Sequence, residues 1–88
     1  MPTISMFYGI LIRMYSGQRE HLPSHFHASY GEFTATFDIM NGELIDGGMP
    51  LPQRRLISAW GEIHRDELLA DWALAQSREA LFRIDPLK

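Results

Sequence analysis

Between Phe7 and Tyr15 the chain alternates, with Ile10, Ile12 and Met14 on one side and Leu11, Arg13 and Tyr15 on the other, which predicts a first strand. Residues 16–24, "SGQREHLPS", are polar and carry a glycine and a proline, so they read as a loop. In "HFHASYGEFTATFDI", Phe26, Ala28 and Tyr30 alternate with His25, His27 and Ser29, and Phe33, Ala35, Phe37 and Ile39 with Thr34, Thr36 and Asp38. Two strands joined at Gly31-Glu32 follow from this pattern. Glycine at the first central position suits a two-residue type II′ turn. A second turn signal, Asn41-Gly42, introduces "ELIDGG" as a short further strand.

Beyond "GGMPLP" the period changes. Leu56, Trp60 and Ile63 recur three or four residues apart between Leu51 and Ile63, with Pro52 acceptable in a first turn, which predicts a helix. Asp66 is the expected cap of a second helix carrying Leu68, Leu69, Trp72 and Leu74 and fading near Ser77, before an irregular or extended tail. Strands first and helices second indicate an α+β domain: a small antiparallel meander of three to four strands with two helices packed on one face. The phenylalanine face of the hairpin is the surface for them to cover, so the histidine face is expected to look toward solvent.

At 88 residues the chain is read as a single domain, residues 1–88, able to fold alone or as a homodimer and with room for one small site. Hydrophobic residues make up 45% and charged residues 22%, a globular composition. There is no cysteine, hence no disulfide framework and no thiolate metal site. The N-terminal stretch has no charged leader or small-residue cleavage site, and the run "FYGILI" is far too short for a membrane span, so a cytoplasmic location is expected. A net charge of −3 argues against coating nucleic acid through a general positive field. A local anion site is still compatible with that charge, because seven of the eight basic residues are arginine.

The candidate chemistry lies in "EHLPSHFHASYG", which holds His21, His25 and His27. Counting outward from the Gly31-Glu32 turn puts His27 opposite Thr36 and His25 opposite Asp38, where an imidazole and a carboxylate could interact. His25 and His27 project from one face, about 6–7 Å apart at the usual strand rise. Three functions are open for them. As acid and base, with Asp38 orienting His25, they would suit proton transfer in phosphate chemistry. With His21 they would offer three nitrogen ligands for zinc; no other cofactor is expected. As ordinary polar residues they would fill the outer face of a half-covered sheet.

Arg13 is a candidate for gripping a phosphate. Arg54 and Arg55 are candidates too, since cations near a helix N-terminus oppose the helix dipole and so ask for an anion. His64 is expected at the helix junction, bonding the last carbonyls of the first helix, and Trp60 and Trp72 in the core. Pro2 as an N-terminal amine base, as in small tautomerases, fits poorly, because a hairpin and not a helix follows the first strand.

The segments "MPTISMFYGILIRMY", "HLPSHFHASYGEFTATFDI" and "WGEIHRDELLADW" resemble the bacterial family catalogued as domain of unknown function 4160 (DUF4160), the H-F-H followed by Y-G being the most specific part. Where that family usually reads proline-proline before the first histidine of the pair, this chain has Pro23-Ser24. The resemblance directs attention to His25 and His27 together with Arg13, Tyr30, Trp60, His64 and Glu67. It implies a small cytoplasmic prokaryotic protein encoded beside a second small protein of the DUF2442 type, in pairs of toxin–antitoxin character. Three functions of different kinds follow: an RNA-cleaving toxin with His25 and His27 at work and Arg13, Tyr30 or the Arg54-Arg55 pair holding substrate, a non-enzymatic protein that docks on its cognate partner, and a histidine metal-binding domain.

Overall fold

A computed structural model describes residues 2–15 and 23–88. Among these residues five strands form one antiparallel sheet in sequence order: β1 (Thr3–Phe7), β2 (Ile10–Arg13), β3 (His25–Tyr30), β4 (Phe33–Asp38) and β5 (Leu44–Gly47). Two helices follow, α1 (Leu51–Ile63) and α2 (Arg65–Gln76). The α+β meander expected from the pattern is the one found, with five strands where three to four are expected.

The extra strand, β1, lies before the segment expected as one strand from Phe7 to Tyr15, of which only residues 10–13 form β2. The two strands are joined by a two-residue turn at Tyr8-Gly9, both with positive φ (48° and 77°), the conformation of a type I′ hairpin turn. A tyrosine at positive φ is uncommon and carries no turn signature in sequence. At the other hairpin the expectation holds residue for residue: His25 pairs with Asp38, His27 with Thr36 and Tyr30 with Phe33.

One face of the sheet is apolar. Ile10, Ile12 and Met14, then Phe26 and Ala28, then Ala35, Phe37 and Ile39 are buried together with Ile57 and Trp60 of α1 and Leu68 and Ala75 of α2. Trp60 sits at the centre, its ring 5.3 Å from Phe7 and 5.7 Å from Phe26, and its indole N–H donates to the Asp85 carbonyl at 2.8 Å. Burying one indole of this size contributes on the order of 2–3 kcal/mol.

His64 joins the helices. Its backbone N–H bonds the Trp60 carbonyl and closes α1, while its carbonyl accepts from Leu68 and opens α2. Asp66, expected as the cap, lies instead in the first turn of α2 beside Glu67, where a negative charge complements the helix dipole. The His64 imidazole meets the Glu67 carboxylate at 2.5 Å, not the last carbonyls of α1.

The tail returns across the molecule. Phe82 N–H donates to Asp71 Oδ1 on α2 at 2.9 Å, and Ile84 N–H to the Ile4 carbonyl of β1 at 2.7 Å. No helix among the described residues is long and apolar enough to cross a membrane.

Candidate ligand groove

Alternation along a strand sends successive side chains to opposite faces, so the apolar face leaves a second set behind it. On that side a groove of about 350 Å³ is lined by Leu11, Arg13, Tyr15, His27, Ser29, Thr34, Thr36 and Asp46, with Ala28, Ala35 and Gly47 adding backbone. The sheet register explains the composition. Thr3 pairs with Arg13, Arg13 with His27, His27 with Thr36, and Thr36 with Asp46. One row of side chains therefore crosses all five strands as hydroxyl, guanidinium, imidazole, hydroxyl and carboxylate.

Neighbours in that row hold one another. Arg13 Nε–H donates to Thr3 Oγ1 at 3.4 Å, and the Thr36 hydroxyl lies 3.2 Å from His27 Nδ1. A hydroxyl can donate or accept, so this contact orients the ring in either of its charge states. Tyr15 packs its ring edge-on against His27 at 4.4 Å. The two charges of the row stay apart: among the described residues no carboxylate is within ion-pair distance of Arg13, and no cation within that distance of Asp46. Three strand spacings, about 14 Å between backbones, separate Arg13 from Asp46.

The expectation for His25 needs correction. It is 2% exposed and not solvent-facing, with its ring 5.2 Å from His27 and 4.9 Å from Trp72 of α2. Its Nδ1 lies 2.9 Å from the Pro23 carbonyl, which can only accept, so Nδ1 carries the proton. Asp38 does not serve as its orienting carboxylate, although the backbone register is the one expected. At the end of β4 the Asp38 Oδ1 accepts from the amides of Met40 at 2.7 Å and Asn41 at 3.3 Å. A turn two residues away offers a carboxylate these bonds at little entropic cost, and they win over the cross-strand partner.

The remaining candidates separate. Tyr30 is on the apolar side, packed on the core with its ring against Gly9. Arg54 and Arg55 are exposed in the early turns of α1, away from the groove lining. His21 lies outside the described residues, and among the described residues no three histidine or carboxylate side chains are grouped to hold a metal ion. His25 and His27 meet edge to face, at 82°.

Of the groove residues only Arg13 and His27 were singled out from sequence for binding or catalysis. Tyr15 shares the parity of Arg13, and Thr36 the register of His27, so both were readable. Asp46 was not, because a bulge between Thr36 and Phe37 sets Thr36 against Asp46 but Phe37 against Leu44, which defeats counting from the turn.

Chemically, the groove offers a fixed cation beside an imidazole already held by Thr36, several hydroxyls and a distant acceptor. His27 has Nδ1 engaged by Thr36 and Nε2 shielded from solvent, and His25 is enclosed. Such an arrangement favours holding an anion over passing protons between two open imidazoles. A family model described as Domain of unknown function (DUF4160) matches residues 9–73, which takes in β2 to β5, α1, most of α2 and all the groove residues named above. No curated protein and no solved structure matches the chain.

Proposed function

The chain belongs to the DUF4160 family, and from that premise we propose that its open sheet face is an RNA-binding surface, with Arg13 receiving a backbone phosphate beside the His27 ring. The observation that carries this reading is the Arg13 guanidinium, which lines a groove beside an imidazole without a carboxylate partner among the described residues. A cation so placed asks for an anion, and arginine matches the geometry of a phosphate. The net charge of −3 limits contact to this local patch.

The biological setting proposed with it is a toxin–antitoxin-type pair, the cognate protein being a small DUF2442-type chain. In that setting the groove holds RNA, either for action on it or in competition with the partner. The buried position of His25 favours binding over cleavage by a histidine pair, and makes His25 the residue that backs His27.

Fluorescence anisotropy with a short single-stranded RNA at two salt concentrations tests this. The unmodified chain should bind, with a salt slope corresponding to about one or two phosphates, and Arg13→Ala should weaken binding and flatten the slope. Equal affinity of Arg13→Ala, or no affinity of the unmodified chain, would overturn the assignment. Expressing His27→Ala alongside the unmodified chain in a bacterial host, with and without the neighbouring partner gene, tests the pairing: relief of growth inhibition by the partner supports it.

A further inference from the structure

The groove is polarised, and the far end has its own chemistry. Asp46 stands three strands from Arg13 in the same cross-strand row, lines the groove, and meets no cation among the described residues. Between them Thr36 is already turned toward His27, and Ser29 and Thr34 form the floor of the adjoining row with Leu11. A ligand that fills the groove thus meets a phosphate-type grip at one end and a carboxylate at the other.

A carboxylate only accepts hydrogen bonds, through two oxygens side by side. Its best complement is a pair of adjacent N–H donors. Among the four RNA bases, guanine alone presents two on one edge, N1–H and the exocyclic amino group; adenine and cytosine offer a single amino group there and uracil a single N–H. A nucleotide seated with its phosphate on Arg13 and its base toward β5 bridges the row, given the reach of both side chains, and the volume of about 350 Å³ falls in the range of small-ligand sites. We infer that the groove reads guanine: it takes a guanine nucleotide unit of RNA, phosphate on Arg13 and Watson–Crick edge on Asp46.

This inference rests on the phosphate reading above, and a titration separates the two. The full chain, followed by amide NMR, is titrated with inorganic phosphate and with the 5′-monophosphates of guanosine, inosine, adenosine, cytidine and uridine. Phosphate should move the signals of Arg13 and His27, and guanosine monophosphate should bind tightest, roughly 5- to 100-fold over the others, as expected for one bidentate base contact. Inosine monophosphate, which keeps N1–H but lacks the amino group, should lose most of that advantage. Asp46→Asn should erase the preference while leaving the phosphate response intact, which also certifies that the variant is folded. Equal affinities for all five nucleotides, or a guanine preference that survives Asp46→Asn, would overturn base reading and leave phosphate binding standing. A groove silent to phosphate and to every nucleotide would overturn both.

Discussion

Gly47 closes β5 with φ +84°, and a Cβ built there would stand 2.3 Å from the Thr34 carbonyl oxygen and 2.9 Å from Ala35 Cα. Both obstacles are backbone of the neighbouring strand, so no side chain can rotate away. Gly47→Ala therefore carries two costs. Left-handed backbone costs an L-residue about 1–2 kcal/mol. Displacing β5 to relieve the clash weakens its last bond, Gly48 N–H to the Thr34 carbonyl at 3.0 Å, worth about 0.5–1.5 kcal/mol. Together about 1.5–3.5 kcal/mol is expected, a large part of the roughly 4–13 kcal/mol that a domain of this size possesses. Two glycines supply the controls. Gly31 has φ +56° but nothing within 4 Å of its virtual Cβ, so Gly31→Ala should cost the conformational term alone, about 1–2 kcal/mol. Gly48 has neither a positive φ nor a neighbour, so Gly48→Ala should be neutral or stabilise by up to about 1 kcal/mol through the unfolded chain. Urea unfolding, with the midpoint compared at constant m, reads the series. A Gly47→Ala variant no worse than Gly31→Ala would refute the argument that β4 backbone forbids a side chain there.

Three further outcomes are expected. Asp71 is 1% exposed, and its carboxyl is pushed up from the ordinary value of 3.8, first by burial and further by nearby Glu67, against the opposing Phe82 N–H. The native state thus holds this proton more tightly than the unfolded chain, and stability falls as pH rises through the raised value. Asp71→Asn, which keeps an acceptor for Phe82, should stabilise at pH 7 relative to the parent and lose that advantage near pH 3.8 or below; equal effects at both pH values in thermal melts would contradict this. Trp60→Ala should cost about 3–5 kcal/mol through the cavity left in the core, seen as a lowered urea midpoint, and a loss under 1 kcal/mol would displace Trp60 from the centre of packing. Asp38→Ala should cost about 0.5–2 kcal/mol and Asp38→Asn much less, because the amide oxygen still serves Met40 and Asn41; equal losses would restore a role for the charge of Asp38.

Local chemistry was legible in the sequence where one rule governed it. The β3–β4 register followed from a glycine turn and a period of two, and both helices from the change to a period near 3.6, Pro52 and Trp60 included. What failed depended on competition. Tyr8 adopts a conformation its residue type seldom takes, so the alternation from Phe7 to Tyr15 runs through the turn unmarked and the strand before it goes unread. Asp38 faces His25 in register, yet the nearer amides hold its carboxylate, and the period of a strand says nothing of that choice. The enclosure of His25 involves Trp72, a residue 47 positions along, and the side chain at the far end of the groove was hidden by a bulge that shifts β5 by one residue.

The bond between Ile84 and Ile4 has a consequence for the order in which the molecule assembles. A meander joins each strand to the next in sequence, so its hairpins close short loops and can form early, whereas this bond closes almost the whole chain and must wait for the rest. The tail is then a terminal clasp, set last and released first, and the Ile84 amide should exchange its hydrogen faster than the amides of β3 and β4 although it lies in a short bond. A clasp of this kind also occupies the outer edge of β1, so that growth of the sheet by a strand from another chain is steered toward β5, the side on which Asp46 stands.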